Sequence, residues 1–84
     1  MNNKVLVNVY FVKLDQSFDI YVPIYEKIGQ IVELVSKTII NLSDSNFNYD
    51  QGYCIMDGIT GQFYDINKAV KETQIRNGHK LLIF

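Results

Sequence analysis

The 84-residue sequence has one proline, one cysteine, one histidine and no tryptophan, and no long apolar run. Each scarcity excludes something. A lone Cys54 closes no intramolecular disulfide, and small secreted domains commonly rely on such staples, so the chain is expected to be intracellular. Eight basic residues stand against nine acidic ones, for a formal charge of −1. A nucleic-acid binder needs a basic face to neutralise phosphates, and attachment to an anionic membrane needs a polybasic patch; this balance argues against both. Apolar runs stop at four residues, as in Leu81–Phe84, against the roughly 20 that a spanning helix needs. Met1-Asn2-Asn3-Lys4 opens no apolar leader core, so neither a secretory leader nor insertion into a membrane is expected.

Chemistry-bearing patterns are equally scarce. With one cysteine and one histidine there is no CxxC, no HxxxH and no paired histidine, so no metal or cofactor is expected. Gly58 and Gly61 are followed by no GK[ST], which excludes a phosphate-cradling loop. Asp57–Asp65 lacks the alternating acids of a calcium loop and is expected to be a β-turn. Asp15, Asp19 and Asp65 show no spacing suited to acid–base work. A nucleophilic Cys54 would need a base beside it. The expectation is a buried structural thiol at Cys54, a solvent-facing His79, no catalytic residue and no enzyme.

What is present is a core. The composition is 48% hydrophobic and 13% aromatic, which is globular rather than disordered, and the length allows one domain, residues 1–84. A chain of this size buries only about 60% of its unfolded surface. Lys4–Lys13 alternates as a strand with Val5, Val7, Val9 and Phe11 on the core side. Ser17–Pro23 alternates more cleanly, with Phe18, Ile20 and Val22 inward; Pro23 ends it, and Leu14-Asp15-Gln16 turns the two runs into a hairpin. Across Tyr25–Asn41 the period becomes helical: Ile28, Ile31, Val32, Val35 and Ile39 share one face, with Glu33 and Lys37 as an i, i+4 pair opposite. No strong N-cap residue precedes it, and Ser43–Asn48 ends it in a polar loop. Gln51–Asp57 reads as a short strand, Gln62–Tyr64 as a shorter one, Ile66–Thr73 as an irregular or helical turn, and Arg76-Asn77-Gly78 as a turn into a last strand, His79–Phe84. The predicted fold is α+β: one amphipathic helix on a mixed four- to five-stranded sheet, a β-grasp whose last strand lies centrally and parallel to the first.

This order and spacing resemble ubiquitin over nearly the whole chain, through Ile28, Ile31 and Val35 in the helix and Val70…Ile75-Arg76-Asn77-Gly78…Leu81…Ile83 near the end. A closer resemblance is to the YukD/EsaB family, the small ubiquitin-like proteins of Gram-positive type VII secretion loci. It is carried by Val22-Pro23-Ile24-Tyr25-Glu26-Lys27-Ile28, by Ile31-Val32-Glu33-Leu34-Val35 and by Gln74–Leu81, where His79 departs from the acidic residue often found after the Asn-Gly. The resemblance implies a cytoplasmic accessory or regulatory component that contacts the membrane apparatus or its secretion ATPase. Conjugated ubiquitin-like proteins end in a flexible Gly-Gly tail; Leu81-Leu82-Ile83-Phe84 is apolar and strand-like, so no conjugation or sulfur transfer is expected. The alternatives are a generic intracellular β-grasp adaptor, or a ubiquitin-like modifier or sulfur carrier.

Ubiquitin's main binding patch lies on the sheet face away from the helix, and Ile55 matches its central isoleucine. With Cys54 and Met56 taken as inward, Tyr53 and Ile55 point outward; with Leu81 and Ile83 inward, so do Leu82 and Phe84. Tyr53, Ile55, Leu82 and Phe84 are therefore the expected protein-binding surface, for an apparatus protein or for a homodimer.

Overall fold

Two apolar strands with opposite directions start the domain. The computed structural model describes residues 3–42 and 53–84. Within them β1 runs Lys4–Phe11 and β2 runs Gln16–Pro23, paired antiparallel without a bulge from Lys4 opposite Pro23 to Phe11 opposite Gln16. Val7, Val9 and Phe11 are buried and Val5 half-buried, as the alternation predicts. The strands are joined by a 3-10 turn, Val12–Leu14, and by Asp15 at φ 51°, in the left-handed region that Asp tolerates better than most residues. The Asp15 carboxylate also accepts a hydrogen bond from the Tyr10 hydroxyl.

The hydrogen-bonding phase of this hairpin decides which backbone groups of β2 face the free edge. Ile24 N–H donates to the Asn3 carbonyl at 3.0 Å, one step beyond the Lys4–Pro23 pair. Alternation then turns the backbone groups of Val5, Val7, Val9 and Phe11 toward β2. Leu6 turns the other way: its N–H donates to Asn77 Oδ1 and its carbonyl accepts from Gly78 N–H, both at 2.8 Å. On β2, the bonded residues are Gln16, Phe18, Ile20 and Val22. Pro23 is tolerated because the N–H it lacks would point to the free edge.

Helix α1 is Ile28–Leu42, starting three residues after the change of period. The reason is its cap. Ile28 N–H donates to the Lys68 carbonyl at 2.9 Å and Gly29 N–H to the Ile66 carbonyl at 3.0 Å. A distant stretch of backbone thus does what an N-cap side chain ordinarily does. The same two segments are laced further by Val70 N–H to Glu26 O and Lys71 N–H to Ile24 O. Ile28, Ile31, Val35 and Ile39 are buried as expected, and Ile40 joins them. The Glu33–Lys37 pair forms at 3.3 Å on the solvent side.

Strand β3 is Ile55–Asp57, and β4 is His79–Ile83. The predicted start of β3 at Gln51 and the Ser43–Asn48 loop lie outside the described residues. The sheet order is β2-β1-β4-β3, with β1 and β4 parallel and the other pairs antiparallel. The extra strand expected at Gln62–Tyr64 reduces to one bridge, Met56 opposite Phe63, and Ile66–Thr73 contains a 3-10 turn at Val70–Glu72. Gly78 has φ 83°, the conformation its turn requires. The result is the predicted β-grasp: a mixed four-stranded sheet with one helix over one face. Among the described residues no helix is long and apolar enough to cross a membrane.

Candidate protein-binding face

The side of the sheet away from α1 is built from alternate residues of four strands. Tyr10 on β1, Leu82 on β4 and Met56 on β3 lie side by side in register, and Phe63 bridges to Met56 at the outer flank. One step further along, Cys54 and Phe84 face each other, bonded through both backbone pairs: Cys54 N–H to Phe84 O at 2.7 Å and Phe84 N–H to Cys54 O at 3.0 Å. The Phe63 and Phe84 rings approach to 6.0 Å between centroids. Phe63 is 63% exposed and Phe84 37%. Tyr10, Met56 and Leu82 are half-buried and Cys54 is exposed. A polar row bounds this half: Asn8 Nδ2 donates to Asp19 Oδ1 at 3.0 Å, and Lys80 sits opposite Asn8. Beyond that row come Leu6 and Tyr21, facing each other in register.

The structure corrects half of the predicted surface. Leu82 and Phe84 lie on the outer face. Ile55 does not: it is 4% exposed and belongs to the core. Tyr53 packs against the core too, its ring 5.2 Å from that of Phe11, with Lys13 Nζ 4.6 Å above it. The strand phase is the reverse of the one expected, so Met56 and Cys54 take the outward positions, and the predicted buried thiol at Cys54 is exposed. The physical reason sits one residue on, at Asp57.

Asp57 shares the inward phase of Ile55 and is only 7% exposed. Its carboxylate is fully engaged. Oδ1 accepts from Ile59 N–H at 2.7 Å and Thr60 N–H at 3.2 Å; Oδ2 accepts from the Tyr64 hydroxyl at 3.2 Å and pairs with His79 Nε2 at 3.0 Å. Burial pushes this carboxyl up, but the hydrogen bonds from Ile59, His79 and Thr60 outweigh it and pull it down to about 2. Burial, then the Asp57 charge, then the hydrogen bond to it push the Tyr64 phenol well above its ordinary range. His79, expected to face solvent, is instead drawn into this cluster, with its side chain 15% exposed.

The cluster locks a turn rather than offering a free base. Asp57 N–H donates to Gln62 O at 2.8 Å and Gly61 N–H to Asp57 O at 2.9 Å, so Asp57–Gln62 closes as the expected turn. Cys54 and His79 lie on opposite faces of the sheet, so they form no nucleophile–base pair. Among the described residues no group of three or more His, Cys, Asp or Glu side chains could hold a metal ion.

No protein-family model matches the chain, and no curated protein matches it. Solved structures match its fold. The ubiquitin-like domain of an Arabidopsis thaliana protein aligns with a TM-score of 0.66 at 16% identity, covering 98% of this chain and 77% of that one. A chain from a toluene 4-monooxygenase complex with the inhibitor 4-bromobenzoate aligns at 0.78 and 12% identity, covering 95% of each. A chain of the ESX-5 inner membrane complex aligns at 0.70 and 11% identity over 98% of this chain; the present chain spans 21% of its length. At such identities the likeness is one of fold. The chain has a ubiquitin-like β-grasp fold.

Proposed function

We propose that this protein is a non-conjugating, non-enzymatic accessory component of a type VII secretion system, acting in the cytoplasm by reversible contact with the apparatus. The observation that carries a binding role is the outer face of Tyr10, Met56, Leu82, Phe84 and Phe63, a run of apolar side chains opposite the helix. Contiguous apolar surface of this kind commonly marks an interaction site, and Tyr, Phe and Met are favoured interface residues. The secretion role is supported by the resemblance of Val22–Ile28, Ile31–Val35 and Gln74–Leu81 to YukD/EsaB proteins. A region of the same fold in the ESX-5 inner membrane complex is a structural parallel. The partner is a cytoplasmic domain of the membrane apparatus or the secretion ATPase. Leu81–Ile83 belong to β4 and Phe84 is bonded both ways to Cys54, so this stretch does not form the narrow, mobile tail that conjugation uses.

The test uses Met56→Asp with Leu82→Asp, since a charge at the buried Ile55 would unfold the domain. After matched circular dichroism, wild type and variant are compared in a crosslinked pull-down from the native host. Capture of secretion proteins by wild type alone supports the reading. Equal capture by both moves the interface elsewhere, and no capture of secretion proteins by wild type overturns the secretion role.

A further inference from the structure

The two edges of the sheet are treated differently. The β3 edge is three residues long and is covered by the bridge to Phe63 and by the bond from Asp57 N–H to Gln62 O. The β2 edge is eight residues long and open: among the described residues no backbone group bonds to the outward N–H and C=O of Ser17, Asp19 and Tyr21. Proteins ordinarily guard such an edge with lysine, an inward charge, a bulge or a short strand. Gln16–Pro23 has no lysine or arginine, no bulge and no inward charge; its guards are Pro23 at its end and the outward Asp19, whose carboxylate is held by Asn8 Nδ2 at 3.0 Å. Phe18 and Ile20 are left half-buried beside it, and Tyr21 is 57% exposed.

We infer that β2 pairs antiparallel with β2 of a second copy, about a two-fold axis at Ile20. The register follows from the edge's own chemistry. The axis at Ile20 sets Ile20 opposite Ile20, Phe18 opposite Val22 and Asp19 opposite Tyr21. Apolar side chains then meet on the helix side, and on the outer side a carboxylate meets a phenol. Asp19 and Tyr21 exchange backbone bonds in both directions, and Ser17 N–H donates to the Pro23 carbonyl of the second copy. Moving the axis to Asp19 would bring two carboxylates face to face, which is destabilising. Moving it to Tyr21 shortens the overlap. An isologous contact of this kind closes on itself, so it gives a dimer and not a fibre. Four strands from each copy form one continuous sheet. The pairing is separate from the apolar outer face, which stays uncovered and is duplicated on one side of the dimer.

Edge pairing alone is a small contact, of the class below about 1,200 Å² that gives weak association. Sedimentation equilibrium from about 10 µM to about 1 mM is therefore the measurement. Wild type is expected to shift with concentration from 9.7 kDa toward twice that mass. Tyr21→Pro removes an edge donor while leaving the β1 ladder intact, and is expected to stay monomeric throughout. A second readout fixes the register and needs no proline. In a Cys54→Ser background, Ile20→Cys sets facing thiols on a non-bonded pair with Cα atoms about 4.5 Å apart, within disulfide reach. That variant is expected to crosslink to itself under mild oxidation, and Asp19→Cys is not. A monomeric wild type at 1 mM, a dimer that survives Tyr21→Pro, or equal crosslinking of the two cysteine variants overturns the inference.

Discussion

Asp57 is the residue on which the β3 side of the fold turns. A buried carboxylate without partners would be costly. This one accepts hydrogen bonds on both oxygens, and its folded pKa of about 2 lies below the ordinary 3.8. A depressed carboxyl stabilises the fold above its unfolded pKa, and that stability is lost as pH falls from about 4 toward 2. The size is about 2 kcal/mol. Urea midpoints measured from pH 7 to pH 2 are expected to fall over that window, and Asp57→Asn is expected to flatten the fall. Asp57 also explains what the sequence left illegible. Tyr53-Cys54-Ile55-Met56 is apolar throughout, so alternation gives it no phase, and the phase with Asp57 outward is the natural reading. The partners that permit the opposite phase, Tyr64 and His79, are 7 and 22 residues away. Two more residues give direct tests. Ser36 is fully buried in α1 with no hydrogen-bond partner for Oγ among the described residues. Ser36→Ala is expected to stabilise by about 1 kcal/mol, read by urea unfolding. Cys54 is expected to react fully with iodoacetamide in the native state, read by intact mass, which a buried thiol would not do.

At the scale of elements, the hairpin, the helix face and the final turn were legible because each is a local pattern: strict alternation in Phe18–Val22, the i, i+3, i+4 series from Ile28, and a glycine at Gly78. The start of α1 was not. Its cap is the carbonyls of Ile66 and Lys68, and a backbone carbonyl leaves no mark in sequence. First-turn amides of a helix ordinarily lack acceptors and exchange quickly. Here the Ile28 and Gly29 amides are expected to exchange slowly, in step with the helix interior, as read by hydrogen exchange and NMR. Fast exchange at both would show that the lacing of residues 24–29 to 66–71 opens on its own.

At the scale of the whole molecule, β4 is the strand that makes one sheet out of two hairpin-like pieces. It lies between β1 and β3, and buries Leu81 and Ile83 under the helix. Removing residues 79–84 is expected to abolish cooperative unfolding, whereas Phe84→Ala, on the outer face, is expected to change stability by less than about 1 kcal/mol; both are read by circular dichroism melts. The parallel pairing of β1 with β4 joins residues such as Val7 and His79. It therefore sets an order on synthesis. While β4 is still inside the ribosomal exit tunnel, β1 has only β2 to pair with, and a lone hairpin is marginal in water. The nascent chain completes this sheet only after β4 emerges, so products that stop short of β4 leave the apolar face of β1 uncovered and are expected to engage chaperones and proteases.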